Sequence, residues 1–374
     1  MPAFRPQAGD EGGDTAISAK ELPLGKVFTP DFRFTIPSFQ RAYIWKTENI
    51  LQLVSDLDDA CKSPGTPYFL GSLILVREGH NRYDVIVGLQ RLVALSIFIA
   101  VLRDLERDPD LMRQLDALLV EPGDKLRGIV TEPRLTLRER DAAFFREHVQ
   151  EDNLESVFDM NDDDLATAAQ RNIVANIRKT YDEISNWSDA GRQQFAQYLV
   201  NEVTLVIVTT DDLDGAHRIF DVMNMRGLPL TSSDVFKARA TAGLSTAELD
   251  VYAARWDDII DPIGDDPHDC EEFFAYLHLV LTHKPATDKL IEDFLADVLQ
   301  PYIDKGTVPT FINQVLAPYA MAWRIIARPS DTVLPAEVRS RLEGLDDYRS
   351  HEWKPVAMWA LVNSYRGLGD ADLA

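Results

Sequence analysis

The sequence predicts an α+β N-terminal domain followed by a mainly helical one. Three observations carry this: a hairpin pattern that runs through Gly88 into an unbroken apolar helix, a β-branched segment at 203–209 isolated among helical patterns, and helical periodicity nearly everywhere after residue 105.

Residues 47–61 place Ile50, Leu51, Val54, Leu57 and Cys61 at helical spacing, with Thr47 as the expected cap, and Pro64, Gly65 and Pro67 end the element. Ser72–Val76 and Tyr83–Val87, joined by a Glu-Gly-His-Asn turn, read as a β-hairpin. The second strand enters Gly88, and Leu92–Leu102 is apolar on every side except Ser96, the pattern of a fully buried helix. Helical patterns follow at 110–119, 139–149, 166–186 and 190–199, interrupted by two β-like stretches, 134–137 and 203–209. The second of these, Val-Thr-Leu-Val-Ile-Val-Thr, is expected to return to the N-terminal sheet. The division expected is a flexible tail over 1–19, a mixed domain over 20–110, a helical region over 111–240 with its returning strand, and a helical domain over 241–374 whose end reads as truncated.

Composition excludes several classes. The longest apolar run is bounded by Arg91 and Arg103 and is shorter than the roughly 20 residues a membrane span needs. No signal-peptide pattern precedes it, so a cytoplasmic location without membrane attachment is expected. Cys61 and Cys270 are isolated, and His278 and His283 are five apart, off the spacing that pairs two ligands on one helix face; no metal ligand set is assigned. Net charge is −23, yet residues 20–103 carry +2 and the remainder −25, so contact with a polyanion would concentrate in that first segment.

Three constellations carry chemistry. Gly88 before a helix, with Gln90 and Arg91 in its first turn, suits phosphate: orphan N–H groups and the positive dipole end attract an anion that a guanidinium can grip. The plain alternative is a turn glycine and an arginine paired with Asp84 or another carboxylate. Ile36-Pro37-Ser38-Phe39-Gln40-Arg41-Ala42-Tyr43-Ile44-Trp45 interleaves aromatics with Arg and Gln, as base-stacking surfaces do and as core edges also do. In the third, 220–237, Asn224, Arg226 and Gly227 fall at a corner, Ser232 or Ser233 can cap the next helix, and Lys237 follows.

Together the three resemble the N-terminal domain of GmrSD-type restriction proteins, a ParB/sulfiredoxin-like mixed α/β fold joined in that family to an HNH nuclease. IPSFQRAYIW, VGLQRL and NMRGLPLTSSDVFK match its IPxxQRxYxW, DGQQR and NxRGxxLxxxDxxK patterns, with Tyr68-Phe69-Leu70-Gly71-Ser72, Arg134-Leu135-Thr136-Leu137 and Asp141–Phe145 also in place. The resemblance implies an anti-phage defence module in which GTP or another NTP is bound and hydrolysed with Mg²⁺, modified DNA such as a phosphorothioate backbone is sensed, and a C-terminal or partner nuclease is governed; assembly as a homo-oligomer is left open. A regulatory module without enzymatic activity is the alternative. By motif position, nucleotide binding falls to Gly88, Gln90, Arg91, Asn224, Arg226 and Lys237, catalysis to Gln90 and Arg91, and DNA sensing to Pro37, Gln40, Arg41, Tyr43 and Trp45. No H-N-H pattern is visible. One departure stands out: Val87 occupies the position of the family aspartate. Asp84 lies three residues earlier, and regular strand alternation puts it on the opposite face from Val87. Nucleotide binding is therefore expected to outlast turnover.

Overall fold

The computed structural model describes residues 17–211, 215–216 and 231–364, apart from 64, 66, 124–125, 127–129, 152, 265–266, 288, 332–334 and 347–350. Two compact units divide the chain, one of Met1–Pro37 with Ala42–Gly227, the other of Ser38–Arg41 with Leu228–Ala374.

The first unit is built on strands β1 (Ser18–Pro23), β2 (Arg33–Thr35), β3 (Tyr68–Arg77), β4 (Arg82–Val87), β5 (Val120–Glu121), β6 (Glu132–Pro133), β7 (Leu135–Thr136) and β8 (Val203–Thr210). Six of them form one mixed sheet in the order β1-β8-β3-β4-β2-β7, and β5 pairs with β6 separately. The β3–β4 hairpin is present, and β8 returns to pair in parallel with β3. Strand β1 pairs antiparallel with β8 from Ser18 onward, so the expected tail gives way to strand two residues early. Three-residue β2 carries no alternation long enough to be legible.

One face of the sheet packs Leu73, Leu75, Tyr83, Val85, Leu205 and Ile207 against the helix Leu89–Leu105, the spine of the unit. Every spine residue from Leu92 to Arg103 is buried, which explains its lack of an apolar stripe: it has no solvent side. The same core takes in Ile50, Leu53, Val54 and Leu57 of the helix Thr47–Cys61 and Ile173, Val174 and Ile177 of the helix Ala168–Ser185. Thr47 is the first residue of its helix rather than its cap; Asn49 accepts from the Lys46 N–H at 3.0 Å.

Helix Ala168–Ser185 also presents two polar residues one turn apart to this core. Asn176 Nδ2 donates to Tyr43 Oη and to the Trp45 carbonyl, both at 2.8 Å, and Asn172 Nδ2 donates to the Tyr43 carbonyl at 3.2 Å. These bonds seat the Tyr43 ring in the interior, where burial raises its phenol above the usual tyrosine range.

The second unit is helical among its described residues, with Phe236, Trp256, Phe273, Phe274, Phe294 and Phe311 in a core of their own. Its helix Ser232–Thr241 is capped by Thr231, which forms a reciprocal box with Asp234, and not by Ser232 or Ser233. Cys270 is buried with its thiol pushed up to about 12, an inert core residue. His278 is held by Asp297 and the Lys284 carbonyl. No helix of the described residues is long and apolar enough to cross a membrane.

Asn176→Ala strands the buried Tyr43 hydroxyl and Trp45 carbonyl. Unfolding in urea is expected to show a loss of about 1–3 kcal/mol, and a change near zero would show that water replaces both bonds.

Candidate nucleotide site

The turn between β4 and the spine helix is dictated by glycine. Gly88 has φ of 117°, a left-handed conformation that other residues rarely adopt, and an added Cβ would lie 2.1 Å from Leu73 Cδ2. The first turn of the helix holds no acidic residue, and its leading N–H groups have no partner within the helix.

Arg91 stands in that turn. Its side chain rests on Gly71, itself at φ of 118°, where an added Cβ would meet the guanidinium carbon at 3.1 Å. Nη1 donates to the Ser72 carbonyl at 3.1 Å. Arg91 forms no ion pair with any described residue, so the alternative pairing with Asp84 is not the one found. Burial lowers its pKa, the mark of a cation partly withdrawn from water without a counter-charge.

Gln90 is turned inward, with both ends of its amide bound to the backbone. Oε1 accepts from the N–H groups of Ile44 and Trp45 at 3.0 and 3.2 Å, and Nε2 donates to the Ala42 carbonyl at 3.0 Å. A side chain committed to three backbone partners positions the segment 42–45 rather than facing a reacting phosphate. Tyr43 likewise departs from the expected DNA-sensing set, because its ring is core. Trp45 is half-buried against the same core, Pro37 is half-buried, and Ile44 and Lys46 are exposed.

Ser38–Arg41 belongs with the second unit. There Lys237 Nζ, almost wholly buried, donates to the Gln40 carbonyl at 3.2 Å and pairs with Asp257 Oδ1 at 2.8 Å. Lys237 is thus neutralised and anchored, not displayed toward phosphate. Gln40 is buried, and Arg41 is half-buried with no ion pair to any described residue. Asn224 and Arg226 lie outside the described residues.

The GmrSD restriction endonuclease N-terminal domain matches residues 24–241, more than half of the chain. The chain belongs to this family. No curated protein matches the sequence.

In this GmrSD domain the aspartate position of the family pattern is Val87, and the strand leading to it is irregular. Val87 pairs with Ile74, Val85 with Leu75 and Asp84 with Val76, so Ile86 is an extra residue that bulges from β4. Directly paired antiparallel residues share a face, and Ile74 and Val76 are two apart on a regular stretch of β3. Asp84 and Val87 therefore lie on the same face, correcting the expectation from uninterrupted alternation. Asp84 is half-buried, its carboxylate makes no ion pair or hydrogen bond with a described residue, and it is pushed up to about 6 by burial and then by nearby Glu78. Magnesium demands oxygen ligands; among the described residues no three His, Cys, Asp or Glu cluster, and Asp84 is a hard donor on the Val87 face.

Sequence reasoning passed over Gly71 and Ser72 as the seat of Arg91, and over Asn172, Asn176 and Asp257. A legible signal existed for the asparagines: two amides four apart within an apolar helical stripe.

Removing the Gln90 amide should free the segment it holds. In Gln90→Ala, hydrogen exchange at the Ile44 and Trp45 amides is expected to accelerate by about tenfold or more, as expected when ~1.4 kcal/mol of local protection is lost; in Gln90→Glu, which still accepts both N–H groups, protection should largely persist. Equal protection in wild type and Gln90→Ala would remove the clamp.

Asp84 should leave a signature in stability. Its folded pKa lies above the unfolded value, so its contribution is complete below about pH 4 and lost as pH rises through about 6. Asp84→Asn is expected to gain up to ~1 kcal/mol over wild type at pH 8, after allowance for solvent screening of a half-exposed group, and nothing at pH 4. A pH-independent difference would contradict this.

Proposed function

We propose that this GmrSD N-terminal domain binds a nucleoside triphosphate, GTP by the family resemblance, at the Gly88–Arg91 turn, and that binding governs the cutting of modified DNA by a nuclease domain or partner in anti-phage defence. The observation that carries this reading is Arg91: a partly desolvated guanidinium with one backbone acceptor, no carboxylate partner among the described residues, and a place in the first turn of a helix entered through left-handed Gly88. Phosphate supplies the charge that this arrangement lacks, and the helix terminus supplies N–H donors to it.

The strap from Pro37 to Trp45 supports the DNA part of the reading. Within the first unit it carries exposed Ile44 and half-buried Trp45, apolar surface suited to an altered backbone whose sulfur is more polarizable and less hydrated than oxygen, and within the second unit Arg41 has no ion pair to any described residue. In this reading Gln90 positions the strap rather than the reacting phosphate, and Gly88 and Arg91 hold the anion. A bound magnesium would offset charge on the phosphates. A second reading, a nucleotide switch that does not hydrolyse, is favoured by apolar Val87 at the family's carboxylate position.

Arg91→Ala is expected to weaken binding of GTP by about 1.5–3 kcal/mol, the usual worth of a hydrogen bond to a charged group, with Arg91→Lys intermediate because a point charge replaces a fork. Titration calorimetry decides it, and equal affinity in wild type and Arg91→Ala would leave the turn a structural corner.

A further inference from the structure

We propose that the first unit binds a single internal water molecule between Tyr43, Asn176 and Thr180, and that this water completes the grip of the helix Ala168–Ser185 on residues 42–45. The three side chains are enclosed by the fold, with residue exposures of 2%, 0% and 0%. At that depth a polar atom has no access to bulk solvent, and its hydrogen bonds must be made inside.

The orientation of Asn176 follows from its partners. Nδ2 donates to the Trp45 carbonyl, which can only accept, and to Tyr43 Oη, so the amide nitrogen lies on that side and Oδ1 on the other. Buried Oδ1 has no donor, and Thr180 Oγ1 has no hydrogen-bond partner, among the described residues. Tyr43 Oη accepts from Asn176 and makes no other hydrogen bond with a described residue, so its own proton is still to be placed. The groups follow one stripe of the helix. Asn172 meets the Tyr43 carbonyl and Asn176 meets the Tyr43 hydroxyl, so the tyrosine runs alongside the helix toward its C-terminal end. Thr180 is the next residue on that stripe, a rise of roughly 6 Å beyond Asn176.

One water satisfies all three groups. Its oxygen accepts the Tyr43 O–H, and its two hydrogens go to Asn176 Oδ1 and Thr180 Oγ1, the three bonds usual for a buried water. None of the three side chains carries a charge, so the site suits a neutral molecule and not an ion. The phenol is then matched on both sides, as acceptor from Asn176 and as donor to the water, and Tyr43 is fixed at its hydroxyl as well as at its backbone.

Magnetic relaxation dispersion of water oxygen counts long-lived internal waters, and it is compared for wild type, Thr180→Val, Thr180→Ser and Tyr43→Phe, each confirmed as folded by circular dichroism. Thr180→Val and Tyr43→Phe are expected to lose amplitude equivalent to one water, and Thr180→Ser, which keeps the hydroxyl, to retain it. Urea unfolding gives an independent sign. If the hydroxyl is bound to water, Thr180→Val lowers the folding equilibrium constant by about tenfold, whereas a dry, unmatched hydroxyl would be relieved by the same substitution and the constant would rise. Undiminished amplitude in both folded variants, or a gain in stability from Thr180→Val, overturns the proposal. Should Thr180→Val fail to fold, Tyr43→Phe decides on amplitude alone, because it deletes the donor and keeps the ring.

Discussion

Much of the candidate site depends on one side-chain amide. Gln90 sits one residue before Arg91 and makes three hydrogen bonds to the backbone, at Ala42, Ile44 and Trp45. A buried amide so satisfied is rigid, since each partner lost would leave a polar group stranded at a cost of about 1–3 kcal/mol. Asn172 and Asn176 secure the same stretch from another helix, so residues 42–45 are fixed by three amides although they form no regular structure. Any displacement of the first helical turn must therefore be felt in the strap, because Gln90 belongs to both. A few residues upstream the strap is gripped again, within the second unit, by Lys237 at the Gln40 carbonyl.

Electrostatics separates Arg91 from the structural cations. Arg103 caps the carbonyls of Val149, Gln150 and Glu151, Arg134 is shared between Ala117 and Glu121, and Lys237 is paired with Asp257. Each is buried and compensated. Arg91 is the contrast: it is half-buried, burial lowers its pKa, and it has a single carbonyl in return. A chain of net charge −23 has carboxylates in excess, so leaving this guanidinium unpaired is a matter of placement and not of supply. An anion arriving there gains both the charge and the helix terminus without displacing a salt bridge to a described residue.

The elements were legible where pattern length was adequate. The hairpin, the apolar spine and the returning strand each run for five or more residues, long enough for period to show. Strand β2 has three residues and was not legible. Aromatic content misled at Tyr43, because a ring beside Arg and Gln looks the same in sequence whether it faces solvent or core; the asparagine pair that draws it inward lies about 130 residues away. Lys237 was similarly ambiguous, since its partner Asp257 is one helix later and nothing in local spacing joins them. Gly88 and Arg91 were legible because their geometry is local: a left-handed residue before a helix, then a side chain in the first turn.

The hardest feature to read was the face of Asp84. Alternation is a rule about an unbroken ladder, and a single inserted residue reverses it for everything beyond. Nothing in Tyr-Asp-Val-Ile-Val announces an insertion, since every residue there is compatible with a regular strand. The insertion appears only in the pairing, where two steps on β3 correspond to three on β4. On a regular strand Asp84 and Val87 would fall on opposite faces, and one of the two would turn toward the core of Leu73, Leu75 and Val85. The bulge instead leaves Asp84 half-exposed on the side where Val87 stands. The irregularity thus sets a carboxylate and the apolar residue of the family's aspartate position on one face of the sheet.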